Sequence, residues 1–511
     1  MSEALFTTDC PSCGAPVRSH SATSVTLVCG YCRSLLVRRD DSLTDSGRDS
    51  ALLEDFSPLQ IGTTGIFATR SFRIAGRLQV RYDAGMWNEW YLLFDDGGSG
   101  WLSESGDLYS LTRPADDAAA LPAFDDIRAG FSLLDYGGRR FTAADVREIT
   151  LSETAAEGEL PFEVPARFDN RAADWRCENL FLTVDYSGGR QPESAEVFFG
   201  RMVALDELAL QHTRSSDAIR AGAGRLKGER AGESCPNCGS PLEWPAGVST
   251  TLLCPSCGSD LDVSAGRAEL IAANAMRRAQ EESFTIPLGS VGRFQNGRYT
   301  LIGVVRWEEI DAQAAIDTLN GRKARAVREG GWTEYLLYSP QNGFYWLVEA
   351  EDGWSVSQTL RQWPKLSADG RPQGLQPLYE YGGRVAYAAG AFYWHIRSGD
   401  TNFYRDYRQG NGKLSAELSS GELAWSRSSP ISHREVAAAF NLDAERFAGS
   451  GTGYDDSETS FSYRIKFVIA FLIINLPAFA SMDGDAFDNV LVVNLIVFAF
   501  LLIGHLGSDD D

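Results

Sequence analysis

Four cysteines recur in this chain at one spacing: Cys10, Cys13, Cys29 and Cys32, then Cys235, Cys238, Cys254 and Cys257, each 225 residues beyond its counterpart. Each set reads C-x2-C, fifteen residues, C-x2-C, so two tight turns can offer four thiolates to one tetrahedral Zn2+. Cys10–Gly14 and Cys235–Gly239 end in glycine, which lets the backbone turn tightly enough for its amides to approach sulfur. The reading is two zinc ribbons with two Zn2+ ions. Four cysteine ligands leave no open position for water or substrate, so both ions are expected to be structural. Disulfides are the rival chemistry; no secretory signal peptide is visible, and a reducing compartment favours metal. The ninth cysteine, Cys177, has no repeated partner and no nearby histidine, and is read as a buried thiol.

Glu89 and Glu334 stand at matching places between aromatic residues and could be buried carboxylates tuned for catalysis. The plainer reading is a glutamate facing solvent or pairing with a strand arginine such as Arg81. None of the five histidines is repeated between the halves, so a shared histidine mechanism is excluded. Gly97-Gly98-Ser99-Gly100 is not followed by Lys-Ser or Lys-Thr, so no phosphate cradle is visible. The expectation is a protein that is not an enzyme.

The elements that must position these residues are duplicated too. Leu59 through Phe67 is answered by Pro287 through Phe294, and Trp87-Asn88-Glu89-Trp90 by Trp332-Thr333-Glu334-Tyr335. Trp101-Leu102 is matched by Trp346-Leu347, and Tyr136-Gly137-Gly138-Arg139 by Tyr381-Gly382-Gly383-Arg384. Each half is one inherited unit of ribbon plus globular domain. These domains read as antiparallel β structure. Phe72, Ile74, Leu78, Val80 and Tyr82 alternate with Arg73, Arg77, Gln79 and Arg81, predicting a strand with one packed face and one wet, basic face. Glycines at 97–100, and Asn342-Gly343 in the second copy, predict hairpin turns across which tryptophans face one another. Ser432 and Glu435 predict a capping box opening a helix, with His433 in its first turn.

The formal charge of −22, with no clustered basic face, argues against nucleic acid as a partner. The C-terminal end differs in kind. Phe467 to Met482 and Val490 to Leu506 are almost wholly apolar, and at about 1.5 Å rise per residue each covers most of a hydrocarbon core about 30 Å thick. Two antiparallel spans are expected. Arg464 and Lys466 flank the first while the connecting turn carries no positive charge, which places the large soluble region in the cytoplasm.

The predicted organisation is zinc ribbon 1 (1–40), a first β-domain (52–213), a linker (214–233), zinc ribbon 2 (234–263), a helical connector (264–283), a second β-domain (284–445), a flexible tether (446–463), a transmembrane hairpin (464–507) and an acidic tail (508–511). Within it, Leu270 to Glu282 reads as a short helix and Glu308 to Gly331 as an exposed helical or mobile insertion.

The pattern W-x-E-[WY] at Trp87 to Trp90 and Trp332 to Tyr335, a following hairpin ending in Trp101 or Trp346, and a later Tyr-Gly-Gly resemble a bacterial domain-of-unknown-function family, the one catalogued as four-one-seven-eight. The resemblance covers roughly residues 55–205 and 285–430. It implies a domain paired with cysteine ribbons and C-terminal spans, in gene neighbourhoods with phage-shock-like membrane-stress proteins and aminopropyltransferase-like proteins. It carries no catalytic residues. The expected function is a non-enzymatic adaptor or scaffold of the bacterial inner membrane, connected with envelope stress and presenting binding surfaces, such as Arg73, Arg77 and Arg81, to cytoplasmic or membrane proteins. Two alternatives stand beside it: an enzyme acting on a small, amine-like substrate, and a sensor that responds to loss of zinc or to oxidation.

Overall fold

The computed structural model describes residues 6–442 apart from 220–233, 243–250, 255–258, 263–268, 273–283 and shorter stretches elsewhere. Each half is built on strands in two antiparallel meanders. In the first half, β1 (Arg70–Tyr82), β2 (Gly85–Phe94), β3 (Ser99–Ser105) and β4 (Leu108–Pro114) make one meander. The other is β5 (Arg139–Leu151) with its continuation β6 (Glu153–Leu160), then β7 (Phe168–Cys177), β8 (Leu180–Asp185) and β9 (Glu196–Val203). The meanders join at both edges, β4 with β9 and β1 with β6.

The second half repeats this path. β10 (Gly297–Ile310), β11 (Arg328–Ser339), β12 (Gly343–Ala350) and β13 (Gly353–Thr359) are followed by β14 (Pro377–Phe392), β15 (Thr401–Gln409), β16 (Gly412–Leu418) and β17 (Leu423–Ile431). Pairing of β13 with β17 and of β10 with β14 closes an eight-stranded barrel. The architecture is mainly β, in two copies of one topology, as the repeated sequence predicts.

The wet face expected on β1 fails at Arg77 and Gln79. Phe72 lies opposite Phe94 and Ile74 opposite Leu92, but the register shifts between Ile74 and Gly76, leaving Ala75 as an extra, bulged residue. A bulge inverts the inside–outside alternation beyond it. Arg77 therefore pairs across from Trp90, and Gln79 from Asn88, on the face that carries Phe72 and Ile74. Arg77 is 4% exposed, Gln79 is fully buried, and Arg73 is half-buried. The same shift falls between Leu301 and Gly303 of β10.

Each cysteine-bearing segment is sewn onto its barrel by main-chain pairing. Thr26–Val28 pairs with Ser34–Arg39 on one side and with β6 on the other, Leu27 opposite Glu159. Thr251–Leu253 pairs with Asp260–Asp262 and with β14, Leu252 opposite Ala391. In the first half Glu159 reinforces the joint, accepting from the hydroxyls of Ser19 and Ser24 and from the backbone of His20. The predicted helix from Leu270 begins instead as a strand, Glu269–Ala272, because the free edge of Asp260–Asp262 offers backbone partners that a short isolated helix lacks; residues 273–283 lie outside the described residues.

The insertion in the second half does contain a helix, α1 (Ala312–Leu319), capped by the Asp311 carboxylate, which accepts from the Ala314 amide at 2.8 Å. It is packed rather than exposed: Ala315 is fully buried against Ile310 and Phe403, and Gly382 provides the room for its close approach. α2 (His433–Phe440) starts at the expected capping box and buries Val436, Ala437 and Phe440. The packed part of the first half runs past residue 213, since Arg214 donates to the backbone of Asp55 and Ser57 and Ile219 is 3% exposed. Among the described residues no helix is long and apolar enough to cross a membrane. The tether, both apolar runs and the acidic tail lie outside the described residues.

Candidate functional site

The first four cysteines converge. Their sulfurs all lie within 4.8 Å of one another, with Cys10–Cys32 and Cys13–Cys29 at 3.7 Å. That is far beyond a sulfur–sulfur bond, and close to the edge of about 3.8 Å of a tetrahedron with metal–sulfur bonds of about 2.3 Å. Cys235, Cys238 and Cys254 converge likewise, with Cys238–Cys254 at 3.7 Å; Cys257 lies outside the described residues. Both clusters could hold a metal ion. Local geometry explains the fit: the Cys10 and Cys235 carbonyls accept from the amides of Gly14 and Gly239 at 2.8 Å, and both glycines have φ of +74°. Arg33 makes the corresponding turn after Cys32, at φ +65°, without being glycine. The Ser34 hydroxyl stands 3.3 Å from the Cys32 sulfur and lowers that thiol, while Cys13 in the same cluster is raised. Cys177 is half-buried at the end of β7 and burial pushes its thiol up, away from nucleophilic chemistry.

A second constellation occupies the barrel interiors. Glu89 is half-buried and accepts from the Trp87 indole at 2.8 Å and the Ser103 hydroxyl at 2.6 Å, with no arginine partner among the described residues; the Arg81 side chain lies outside them. Glu334 accepts from the Trp332 indole at 2.8 Å and from the Trp307 indole at 3.0 Å. Across each barrel a second carboxylate confronts it. In the first half this is Asp174 on β7, bonded to the Thr183 hydroxyl at 2.7 Å. In the second it is Glu417 on β16, bonded to the Tyr404 hydroxyl at 3.2 Å. Burial pushes Glu89 up to about 7, Asp174 to about 6 and Glu417 to about 8, and raises Glu334 as well. Mutual repulsion adds to the shifts of Glu89 and Glu417. In the second barrel Trp332, Tyr381 and Tyr404 stack edge and face at 5.0 to 5.6 Å, filling the space beside the acids.

Behind the first interior, Arg77 is clamped. It bonds Asp55, donates to Asn88 Oδ1 at 2.8 Å and lies 4.7 Å from the Trp90 ring centroid. The Trp90 indole in turn donates to the buried Glu104 at 2.8 Å. In the second half the equivalent pair is the Tyr335 hydroxyl and Glu349, at 2.6 Å. Spacing alone does not single out Glu104 and Glu349, although both stand fifteen residues after a repeated glutamate and could be found by that recurrence. The expected facing of tryptophans holds only in part. Trp101 meets Tyr91 at 5.1 Å, while Trp307 and Trp332 stack at 5.6 Å.

Fold and sites together define a protein of two tandem β-domains of one topology, the second closed as an eight-stranded barrel, with a cysteine cluster docked to each. A family model described as Domain of unknown function (DUF4178) matches residues 60–203 and 287–433, one stretch on each barrel and together more than half of the chain. The chain belongs to this family. Comparison with curated proteins and comparison with solved structures each return no match.

Proposed function

We propose that this protein is a membrane-anchored, non-enzymatic adaptor or scaffold of the bacterial inner membrane, its two barrels in the cytoplasm and its anchor the apolar hairpin at 464–507, serving the response to envelope stress. Two structural Zn2+ ions, one on Cys10, Cys13, Cys29 and Cys32 and one on Cys235, Cys238, Cys254 and Cys257, brace it. The observation that carries this reading is the continuous pairing of each cysteine segment with its barrel, which makes metal site and barrel one stiff unit suited to presenting a surface. The edge strand Leu133–Tyr136, which among the described residues pairs with β5 alone, exposes Leu133 by 41% and stands next to Phe131, exposed by 65%. Such an edge can accept a strand from a protein partner. Of the basic residues expected to bind partners, Arg77 is buried in its own network and Arg73 is half-buried, while the Arg81 side chain lies outside the described residues.

Cross-linking and co-purification of the full chain from native membranes tests the proposal. A discrete protein partner should be recovered, and recovery should fall at least about fivefold in the F131D/L133D variant. Loss of the protein from the membrane fraction without loss of the hairpin, or recovery of the same proteins by the variant, removes the reading. The carboxylate pairs Glu89–Asp174 and Glu334–Glu417 favour a second reading, an enzyme for a small cationic substrate such as an amine. That reading requires E89Q or E334Q to abolish a measurable turnover while leaving partner recovery intact.

A further inference from the structure

The first barrel's β7–β8 turn and β9 face the segment after β13 and the β15–β16 turn of the second barrel across a cleft of about 750 Å³. That size suits a small ligand. Its charge is opposite to that of the chain: Arg201, Arg361, Lys365 and Arg427 line it, against Glu178 and Glu207, in a protein of net charge −22. The cations are unequally satisfied. Arg201 pairs with Glu207 at 2.8 Å, whereas Arg427 donates at 2.7 Å to the neutral side chain of Gln409. Arg361 and Lys365 are exposed and, among the described residues, neither makes an ion pair within 4.0 Å, although Glu207 and the buried Asp107 sense the charge of Arg361.

Beneath the cleft sits a second, independent feature. Arg176 is 6% exposed, held between Trp363 (4.9 Å from its ring centroid) and Phe181 (5.7 Å). It donates to the Arg361 carbonyl, and the Trp363 amide bonds the Glu178 carbonyl at 3.1 Å, so the loop bearing Arg361 and Lys365 is fixed to the first barrel. The buried Nε of Arg176 has no hydrogen-bond partner among the described residues. Burial lowers this guanidinium only to about 10, so it stays charged at neutral pH and adds a positive field behind the cleft wall.

We infer that this inter-barrel cleft is a binding site for a small phosphate-bearing polyanion, gripped by Arg361, Lys365 and Arg427. Planar guanidinium forks match the paired oxygens of a phosphate, and an ammonium adds a point charge. The same chemistry is offered by a soluble polyphosphate or by a lipid headgroup, and the test separates them. Full-length protein in neutral detergent is titrated calorimetrically with inorganic pyrophosphate, and in parallel incubated with phosphatidylglycerol vesicles and floated. Saturable heat at one site per chain assigns a soluble ligand; flotation without such heat assigns a headgroup. In either arm the R361E/K365E variant should bind at least about tenfold more weakly at an unchanged melting temperature, and the K365Q variant measurably more weakly. R140E, which removes an exposed arginine outside the cleft, should bind as wild type. Absence of binding in both arms, equal binding by R361E/K365E and K365Q, or an equal loss in R140E overturns the assignment.

Discussion

Glu89 stabilises the fold in the form that most surface carboxylates lack, the neutral acid. Burial raises its folded-state pKa to about 7 from an ordinary 4.5, so the contribution is complete below about pH 4.5 and is lost as pH rises through about 7. The ceiling is on the order of 3 kcal/mol, and smaller where water reaches the half-buried carboxylate. Replacing it with glutamine keeps a carbonyl oxygen for the Trp87 indole, turns the oxygen that accepts from Ser103 into an NH2 that can donate to that hydroxyl, and removes the titrating group. E89Q should therefore melt above wild type at pH 8, and its melting temperature should fall less between pH 5 and pH 8; parallel curves for the two proteins would show that Glu89 is not the titrating group. Asp174, raised to about 6, leaves a residual slope in the variant. One member of each pair was legible in the sequence, because Glu89 and Glu334 recur inside a repeated aromatic motif. The other was not: Asp174 on β7 faces Glu89 in the first barrel while Glu417 on β16 faces Glu334 in the second, so carboxylate and hydroxyl have exchanged strands and leave no common spacing.

Among the elements, the bulge near the middle of β1 and β10 decides which residues go inside. Arg73, Arg77 and Arg81 promised a wet face because strict alternation has a period of two, and one inserted residue inverts everything after it. Its signal was present in both copies as two apolar residues followed by glycine, Ile74-Ala75-Gly76 and Leu301-Ile302-Gly303. The neighbouring strand accommodates the bulge through one glycine in each half. Gly158 has φ +74° and its Cβ would stand 2.2 Å from the Ala75 carbonyl oxygen; Gly390 has φ +94° and its Cβ would stand 2.2 Å from that of Ile302. Alanine at either position meets both a left-handed backbone and a backbone clash, and should cost about 2–4 kcal/mol in urea denaturation. Gly97, also left-handed at φ +81° but facing open space, should cost only about 1 kcal/mol as alanine. Equal losses at Gly158 and Gly97 would mean that the bulge is not what the glycine serves. The hairpin turns and the capping box needed no such context and were legible at once, since each depends on neighbours within four residues.

At the scale of the whole molecule, the cysteine clusters and the barrels belong to the same sheets, and that continuity has a measurable consequence. Metal bound by thiolates couples directly to folding. An independent ribbon would unfold alone on chelation and leave its barrel untouched. Here Thr26–Val28 and Thr251–Leu253 donate and accept main-chain bonds with β6 and β14, the strands that close each barrel against β1 and β10. Stripping the metal should therefore speed amide hydrogen exchange both in the cysteine segments and in the far ends of β6 and β14, around Glu159 and Ala391, while β3 and β12 on the opposite meander stay protected. The first half should resist more, because Glu159 also holds the side chains of Ser19 and Ser24, whereas the residue type at the matching place in the second half is alanine, which has no carboxylate. Exchange confined to the cysteine segments after chelation would show that metal and barrel are mechanically separate. On the proposed reading, two such joints in tandem supply two platforms whose closing strands would be locked while each cluster holds a metal ion.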